Sequence, residues 1–262
     1  MTWRLILDGP CDAFMNMAID EAISEFVRKG DSPPTLRFYQ WERPSITIGY
    51  FQRLKAEVEV DYCSINGYPV VRRPTGGRAV LHNDELTYSL SSQMRPPFSD
   101  GLLQSYNAIA RAFLDGLRNL GLDARISSRR QNGRLLRNPS CFQSVSYGEI
   151  TIDGEKLIGS AQKRWGDGVL QQGSILLSLD TSEICRVLRI PEDRHMDTSG
   201  IGFIRKHLPD ITVDEIIDSL KMAFERTFGI QFVSGGLTLE EAGLAETLRL
   251  EKYLSGDWNF MR

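Results

Sequence analysis

The sequence predicts an α/β (α+β) fold, a mixed central β-sheet flanked by helices. Three observations carry that prediction. Long amphipathic helices at Ala13–Lys29, Leu102–Leu120 and Val213–Phe228 are separated by short strand-like runs rich in β-branched and aromatic residues. No repeat or low-complexity segment interrupts that alternation of strands with long intervening helices. The 262 residues are 41% hydrophobic and 25% charged, an ordinary globular composition with enough length for one large domain or two small ones.

Taken in order, Trp3–Leu7 reads as a strand. Asp12 caps the first helix, whose apolar face is Met15, Ala18, Ile19, Ala22, Ile23 and Phe26; Gly30 stops it. Asp20, Glu21 and Glu25 read as its solvated side. Thr35–Gln40 and Ser45–Gly49 are strands around the turn Trp41–Pro44, and Gln52–Asp61 is a short helix. Arg95–Asp100 is a loop, and the helix Leu102–Leu120 buries Ile109, Phe113, Leu114 and Leu117 before Gly121 ends it. Ser127–Pro139, with Arg129, Arg130, Arg134 and Arg137, reads as a basic surface loop, either simply solvated or turned to an acidic protein partner. Ser146–Ile152 and Glu155–Ile158 form a hairpin around Asp153-Gly154, a type I′ signal. Leu170–Leu179 is a strand, Thr181–Arg186 opens a short helix that Pro191 ends, and His195–Gly202 is a loop. Ile204–Leu208 is a helical turn. Thr212 caps the last long amphipathic helix and Gly229 closes it; Gly235-Gly236 then breaks the chain. Thr238–Tyr253 is helical, and Trp258–Phe260 tucks back onto the body. No repeat or linker divides the chain, so one domain spanning 1–262 is expected, with 191–262 as its C-terminal helical portion.

The stretch Val70–Leu90 organises the rest. A strand runs into Arg72, Arg73, Pro74, Thr75, Gly76, Gly77 and Arg78, then Val80–Leu81, then a further strand over Leu86–Leu90. Two readings stay open. Adjacent glycines let backbone approach a ligand, and flanking arginines suit phosphate or carboxylate; or the Gly-Gly merely turns a hairpin. It is neither a Walker loop nor a dinucleotide fingerprint.

Other features exclude function classes. Net charge is -3, so no global basic field points to nucleic acid. No apolar run approaches a membrane span, and the N-terminus lacks a secretory h-region, so a soluble cytoplasmic protein is expected. Four scattered cysteines without C-x-x-C spacing and three histidines without H-x-x-x-H spacing argue against a disulfide framework and a metal site.

Several motifs then occur in order: Asn16–Ala22, Pro34–Tyr39, Ser45–Gln52, Arg72–His82 (RRPTGGRAVLH), Glu85–Ser89, Lys156–Gln162 (KLIGSAQ) and Gln172–Ile175. Together they resemble the lipoate-protein ligase, octanoyltransferase and biotin-protein ligase superfamily over roughly residues 1–180. Within it the chain is most similar to the cysteine-dependent octanoyltransferases built like lipoate ligases. Its glycine turn is TGGRAVLH, where ATP-using ligases typically carry SGGGAVFH followed by D-x-G-N. Ser140-Cys141-Phe142 resembles the position of the transferases' nucleophile. The chain is also short for the accessory C-terminal domain of many lipoate ligases.

The resemblance implies the mixed-sheet catalytic-domain fold of these ligases, with a smaller second sheet. It implies Cys141 as nucleophile, although a lone Cys is by itself more often a small buried apolar residue, as Cys11, Cys63 and Cys185 are expected to be. It implies Lys156 at the acyl carbonyl, a cation of the kind whose loss costs about 2.7–4 kcal/mol of transition-state stabilisation; without it, an exposed hairpin lysine would be expected. Arg73, Thr75, Gly76, Gly77, Arg78, His82, Gly159, Ser160 and Ala161 would bind the acyl group. His82 would either assist deprotonation or be a hydrogen-bonded structural histidine; Tyr39 and Trp41 read equally as core. The implied activity is ping-pong octanoyl transfer from acyl carrier protein to a lipoyl-domain lysine, on the glycine-cleavage H protein or a 2-oxoacid dehydrogenase E2 subunit, with no cofactor. The rivals are an ATP- and Mg-dependent lipoate ligase, transfer between two carrier proteins, and a non-catalytic acyl-binding protein.

Overall fold

A computed structural model describes residues 1–127, 149–189 and 200–262. The chain runs β1 (Thr2–Cys11), α1 (Ala13–Lys29), β2 (Thr35–Trp41), β3 (Ser45–Ile48), α2 (Leu54–Glu57), α3 (Val60–Ile65), β4 (Val70–Arg72), β5 (Val80–His82), β6 (Glu85–Gln93), α4 (Leu102–Asn119), β7 (Arg125–Ile126), β8 (Ile150–Ile152), β9 (Glu155–Lys156), β10 (Ile158–Arg164), β11 (Gly168–Leu176), α5 (Thr181–Val187), α6 (Val213–Phe228), β12 (Gln231–Ser234), α7 (Leu239–Leu248) and α8 (Gly256–Asn259). Cys141, most of the basic loop, the first residues of the Ser146–Ile152 strand, Pro191 and most of His195–Gly202 lie outside the described residues.

The helix boundaries follow local chemistry. Asp12 accepts from the backbone of Phe14 and Met15 at the start of α1, and Gly30 ends it at φ 90°. Thr212 and Glu215 form a capping box at α6, as Thr238 and Glu241 do at α7. Asp153 and Gly154 both take positive φ, 53° and 83°, as a type I′ turn between β8 and β9 requires.

The main sheet has the order β10-β11-β6-β2-β1-β12. Its β10 to β2 half is antiparallel, while β2, β1 and β12 run parallel. Alternation along β2 and β6 splits the chain between two layers. Leu36, Phe38, Leu86, Tyr88 and Leu90 face α4 and α6, where Phe113 packs against Tyr88 at 4.3 Å and Phe224 at 5.0 Å. Burying such a ring stabilises by roughly 1.5–3 kcal/mol. On the opposite face Ile6, Tyr39 and Trp41 meet α1, behind which sit Ala245 and Tyr253. A second sheet, β4-β3-β5, and a small one, β7-β8-β9, complete the mixed architecture.

Several expectations are corrected. The Gly-Gly segment does not close a hairpin: β4 and β5 lie on either side of β3, parallel and antiparallel to it, and do not pair with each other. β2 and β3 belong to different sheets, and Gln52–Asp61 covers one short helix and the start of a second. β7, β10 and β12 are additional strands; β12 places Gln231–Ser234 beside β1 within the predicted helical portion. Asp20 is fully buried rather than solvated, because it lies on the face of α1 that packs on the main sheet, against Arg37, Tyr39, Ser89 and Gln172. Cys185 is exposed, while Cys63 is buried and its thiol is pushed up to about 11 by burial. Trp258–Phe260 does tuck back: Trp258 donates to the Arg72 carbonyl at 2.8 Å, and Asn259 accepts from the Arg72 amide at 2.8 Å.

Candidate active site

A pocket with about 360 Å³ of empty space, part of it open to solvent, lies where α1, the two larger sheets and the glycine turn meet. Its outer wall is Gly159, Ser160 and Ala161 on β10; deeper in are Met17, Tyr39, Trp41, Val80, His82 and Thr87, all nearly buried. Small residues on β10 let a chain lie against backbone, and the apolar depth suits a hydrocarbon tail.

The inner wall is held by a polar network. Glu85 Oε1 accepts from His82 Nδ1 (2.7 Å), Thr87 Oγ1 (2.5 Å), Ser174 Oγ (2.8 Å) and Trp41 Nε1 (3.2 Å). His82 Nε2 meets Thr47 Oγ1 at 2.7 Å, and the imidazole stacks on Trp41 at 4.0 Å. These contacts fix His82 in the manner of a structural histidine that also lines the cavity. A second network binds α1 to the sheet: Asp20 accepts from Arg37 (2.8 Å), Tyr39 (2.9 Å), Ser89 (2.6 Å) and Gln172 (2.8 Å).

Burial pushes the Glu85 carboxyl up, but the His82 charge and the hydrogen bonds from His82, Thr87 and Ser174 outweigh it and hold the group below its ordinary value of 4.5. A folded-state pKa below the unfolded one stabilises the protein above pH 4.5, and that stabilisation is lost as pH falls through the folded value. The urea midpoint of the protein is therefore expected to drop more steeply below pH 4.5 than that of Glu85→Gln; parallel pH profiles would contradict this.

The glycine turn is braced from inside. The guanidinium of Arg73 has five N–H donors. They reach the carbonyls of Gly76 (2.7 Å), Arg78 (2.7 Å) and Thr47 (3.3 Å), and Thr47 Oγ1 (3.0 Å), with Nε also on Gly76. Arg72 is likewise spent on carbonyls, those of Gly49, Tyr50, Gln52, Trp258 and Asn259. The phosphate-binding reading of these two arginines is thus corrected: their donors hold backbone. Thr75 Oγ1 donates to Gln172 Oε1 at 2.8 Å, tying the turn to β11. Gly77 sits at φ 86°, and a Cβ there would lie 3.4 Å from that of Ala161, so the turn closes against β10. A Cβ on Gly49 would come within 2.0 Å of the Gly77 carbonyl oxygen, so only glycine fits beneath the turn. Arg78 is half-buried and Gly76 lies at the same turn.

Lys156 is buried rather than exposed, and donates to Glu149 Oε1 at 2.5 Å. Its backbone is held by Gly200 and Gly202. It does not line the main cavity. Glu149 instead lines a smaller one, about 220 Å³, on the α4 face with Tyr88, Phe113 and Ser160. Ser160, hydrogen-bonded to Tyr88 OH at 2.7 Å, borders both cavities. The structure thus gathers Arg73, His82, Gly159, Ser160 and Ala161 around one cavity and Thr75 and Gly77 behind its wall, but leaves Lys156 outside it, bonded to Glu149 of the smaller cavity. Sequence reasoning missed Met17, Thr47, Thr87, Gln172 and Ser174 there. For Thr47, Thr87, Gln172 and Ser174 the signal was polar residues within strands that are covered on both faces; Met17 lies on the inward stripe of α1. Among the described residues no cluster could hold a metal ion, and no helix is long and apolar enough to cross a membrane.

The comparisons agree with this geometry. The family model for the lipoyl protein ligase A/B catalytic domain matches residues 12–225. An octanoyltransferase LipM of Kyrpidia tusciae is 42% identical over 100% of this chain and 99% of its own, and one of Moorella thermoacetica is 41% identical over 98% and 97%. A bi-partite lipoate protein ligase from Thermoplasma acidophilum superposes with a TM-score of 0.83 at 29% identity, covering 99% of this chain and 96% of that one. This chain therefore belongs to the lipoyl protein ligase A/B catalytic-domain family.

Proposed function

We propose that this protein is a protein N-octanoyltransferase of lipoate biosynthesis, moving octanoyl from acyl carrier protein to a lysine of a lipoyl domain. The observation that carries the reading is the main cavity: apolar in its depth, with the guanidinium of its wall already spent on backbone, it suits an uncharged acyl tail. Full-length likeness to proteins named octanoyltransferase supports the same reading.

In the proposed sequence the Cys141 thiolate attacks the thioester carbonyl, and the carrier thiolate leaves. The lipoyl-domain amine then attacks the acyl-enzyme, the Cys141 thiolate is released, and the nitrogen loses a proton to give an amide. Neither step needs nucleotide, metal or another cofactor. Lys156, held by Glu149 outside the main cavity, is the cation assigned to the oxyanion in each step, as the motif resemblance implies. Gly159, Ser160 and Ala161 carry the acyl group along β10, with Thr75, Gly76, Gly77 and Arg78 forming the far wall. The acceptor is the lipoyl domain of the glycine-cleavage H protein or of a 2-oxoacid dehydrogenase E2; the Thermoplasma ligase was studied with an E2 lipoyl domain.

Met17, 2% exposed at the cavity wall, limits chain length. Met17→Ala is expected to shift preference toward acyl chains one or two methylenes longer, each buried methylene being worth about 0.8 kcal/mol. Competition between carrier thioesters of increasing length reads the shift; an unchanged order would contradict it.

The second reading, an ATP-dependent lipoate ligase, draws on the Thermoplasma likeness. The test is modification of an apo lipoyl domain by purified protein. Octanoyl-carrier without ATP should give the amide, and free octanoate or lipoate with ATP and Mg should not. The reverse pattern would overturn the transferase reading.

A further inference from the structure

The segment after β3 leads from the glycine turn to a basic surface. The Tyr50 amide donates to the Thr75 carbonyl at 2.9 Å, so Tyr50 and Phe51 begin beside the glycine turn, behind the cavity wall. The Lys163 ammonium, two residues beyond Ala161 on β10, lies 5.5 Å from the Tyr50 ring. On the other side the Arg262 guanidinium lies over the Tyr50 and Phe51 rings at 5.5 and 5.3 Å. There an open depression of about 1170 Å³ is lined by Arg53, Lys55, Arg189, Arg262, Ala56 and Phe260. Four of these six are cations and none is acidic. Arg189 pairs with Glu59 at 3.1 Å, and Glu57 bonds to Gln52; Arg53 and Lys55 have no carboxylate partner among the described residues. Phe51 is 70% exposed, with Phe260 and Met261 exposed beside it. A concentration of cations on a chain of net charge -3, around exposed aromatic and Met side chains, is the composition of a protein-docking surface for an acidic partner.

The geometry points to this depression as the docking site of the acidic carrier protein that delivers the acyl thioester. The proposal rests on the transferase reading and adds where the donor sits. The donor's acyl group hangs on a phosphate-bearing arm, which meets Arg53 and Lys55 as the thioester runs past Tyr50 to the cavity. The lipoyl domain, which offers a lysine and no phosphate, has less use for such a surface.

Arg53→Glu/Lys55→Glu tests it, since neither residue belongs to the catalytic machinery. Binding of fluorescent octanoyl-carrier, read by anisotropy, should weaken at least about 10-fold and lose most of its salt dependence. In half-reactions, acyl-enzyme formation from octanoyl-carrier should slow correspondingly. Formation from a small octanoyl thioester, and transfer from acyl-enzyme to the lipoyl domain, should stay within about twofold. Unchanged carrier binding would overturn the proposal, as would a loss confined to the lipoyl-domain half-reaction, an equal loss with the small thioester, or equally tight binding of an oligonucleotide. Because anisotropy does not depend on turnover, a protein that forms no acyl-enzyme from either thioester contradicts the transferase reading, while the docking site stands or falls on the binding result.

Discussion

Cys141→Ser is expected to lower octanoyl transfer from the carrier by at least about 1,000-fold. A thiol has a substantial thiolate fraction near neutrality once its surroundings lower its pKa, whereas a serine hydroxyl has almost none. Exchange between thioesters is also close to balance, so the first step runs in either direction with little driving force. An ester on serine is a poorer acyl donor to an amine, and the second step slows as well. The check is single-turnover kinetics with octanoyl-carrier and an apo lipoyl domain, with the urea midpoint as fold control. A serine variant that turns over at the normal rate would remove the acyl-enzyme from the mechanism.

Asp20→Ala is expected to destabilise the fold by about 3–5 kcal/mol, the cost of breaking a buried ion pair by removing one partner. Asp20 and Arg37 are both fully buried, and the carboxylate also takes hydrogen bonds from Tyr39, Ser89 and Gln172. Burial works against the charge on Arg37, but Asp20, Tyr39 and Asp8 outweigh it, so the guanidinium stays protonated. Alanine would leave that charge with Asp8, which is partly open to solvent, and would strand three donors between α1 and the sheet. Asp20→Asn keeps one acceptor oxygen and should lose less. Urea denaturation at neutral pH measures both. A loss below about 1 kcal/mol for Asp20→Ala, the range of an exposed pair, would contradict this account.

The parts of the fold legible in the sequence were those set by local chemistry. α1, α4 and α6 begin and end within a residue of where caps, glycines and apolar spacing place them. The Asp153-Gly154 turn follows from the φ its residues tolerate. What failed was non-local. β10 reads poorly as a strand because Gly159, Ala161 and Lys163 give one of its faces no apolar run, yet two-sided pairing is not needed at a sheet edge. β12 is four residues long and mostly exposed, and its partner β1 lies more than 200 residues away. The assignment of β3 to a separate sheet depends on β4 and β5 closing around it, which no local pattern encodes.

The site was legible through its motifs more than its chemistry. The glycine turn and the Gly159-Ser160-Ala161 segment do meet, and His82 joins them. The roles of the arginines were not readable: whether a guanidinium faces ligand or backbone depends on carbonyls of Thr47 and Gly49, brought alongside by the neighbouring strand β3. Asp20 was misjudged because a carboxylate on a helix looks solvated until the sheet beneath supplies its donors, here Arg37, Tyr39, Ser89 and Gln172. One clue was available. Asn16 and Asp20 are four residues apart, in register with Ala13 and Met17, so two polar side chains share the stripe that α1 turns inward.

The central claim is a covalent octanoyl-cysteine formed without nucleotide. Intact mass of the purified protein after incubation with octanoyl-carrier, ATP absent, tests it most directly. One octanoyl group added, removed by hydroxylamine and mapped by peptide sequencing to Cys141, is the predicted result; no adduct without ATP, or a hydroxylamine-resistant adduct on another residue, would contradict it.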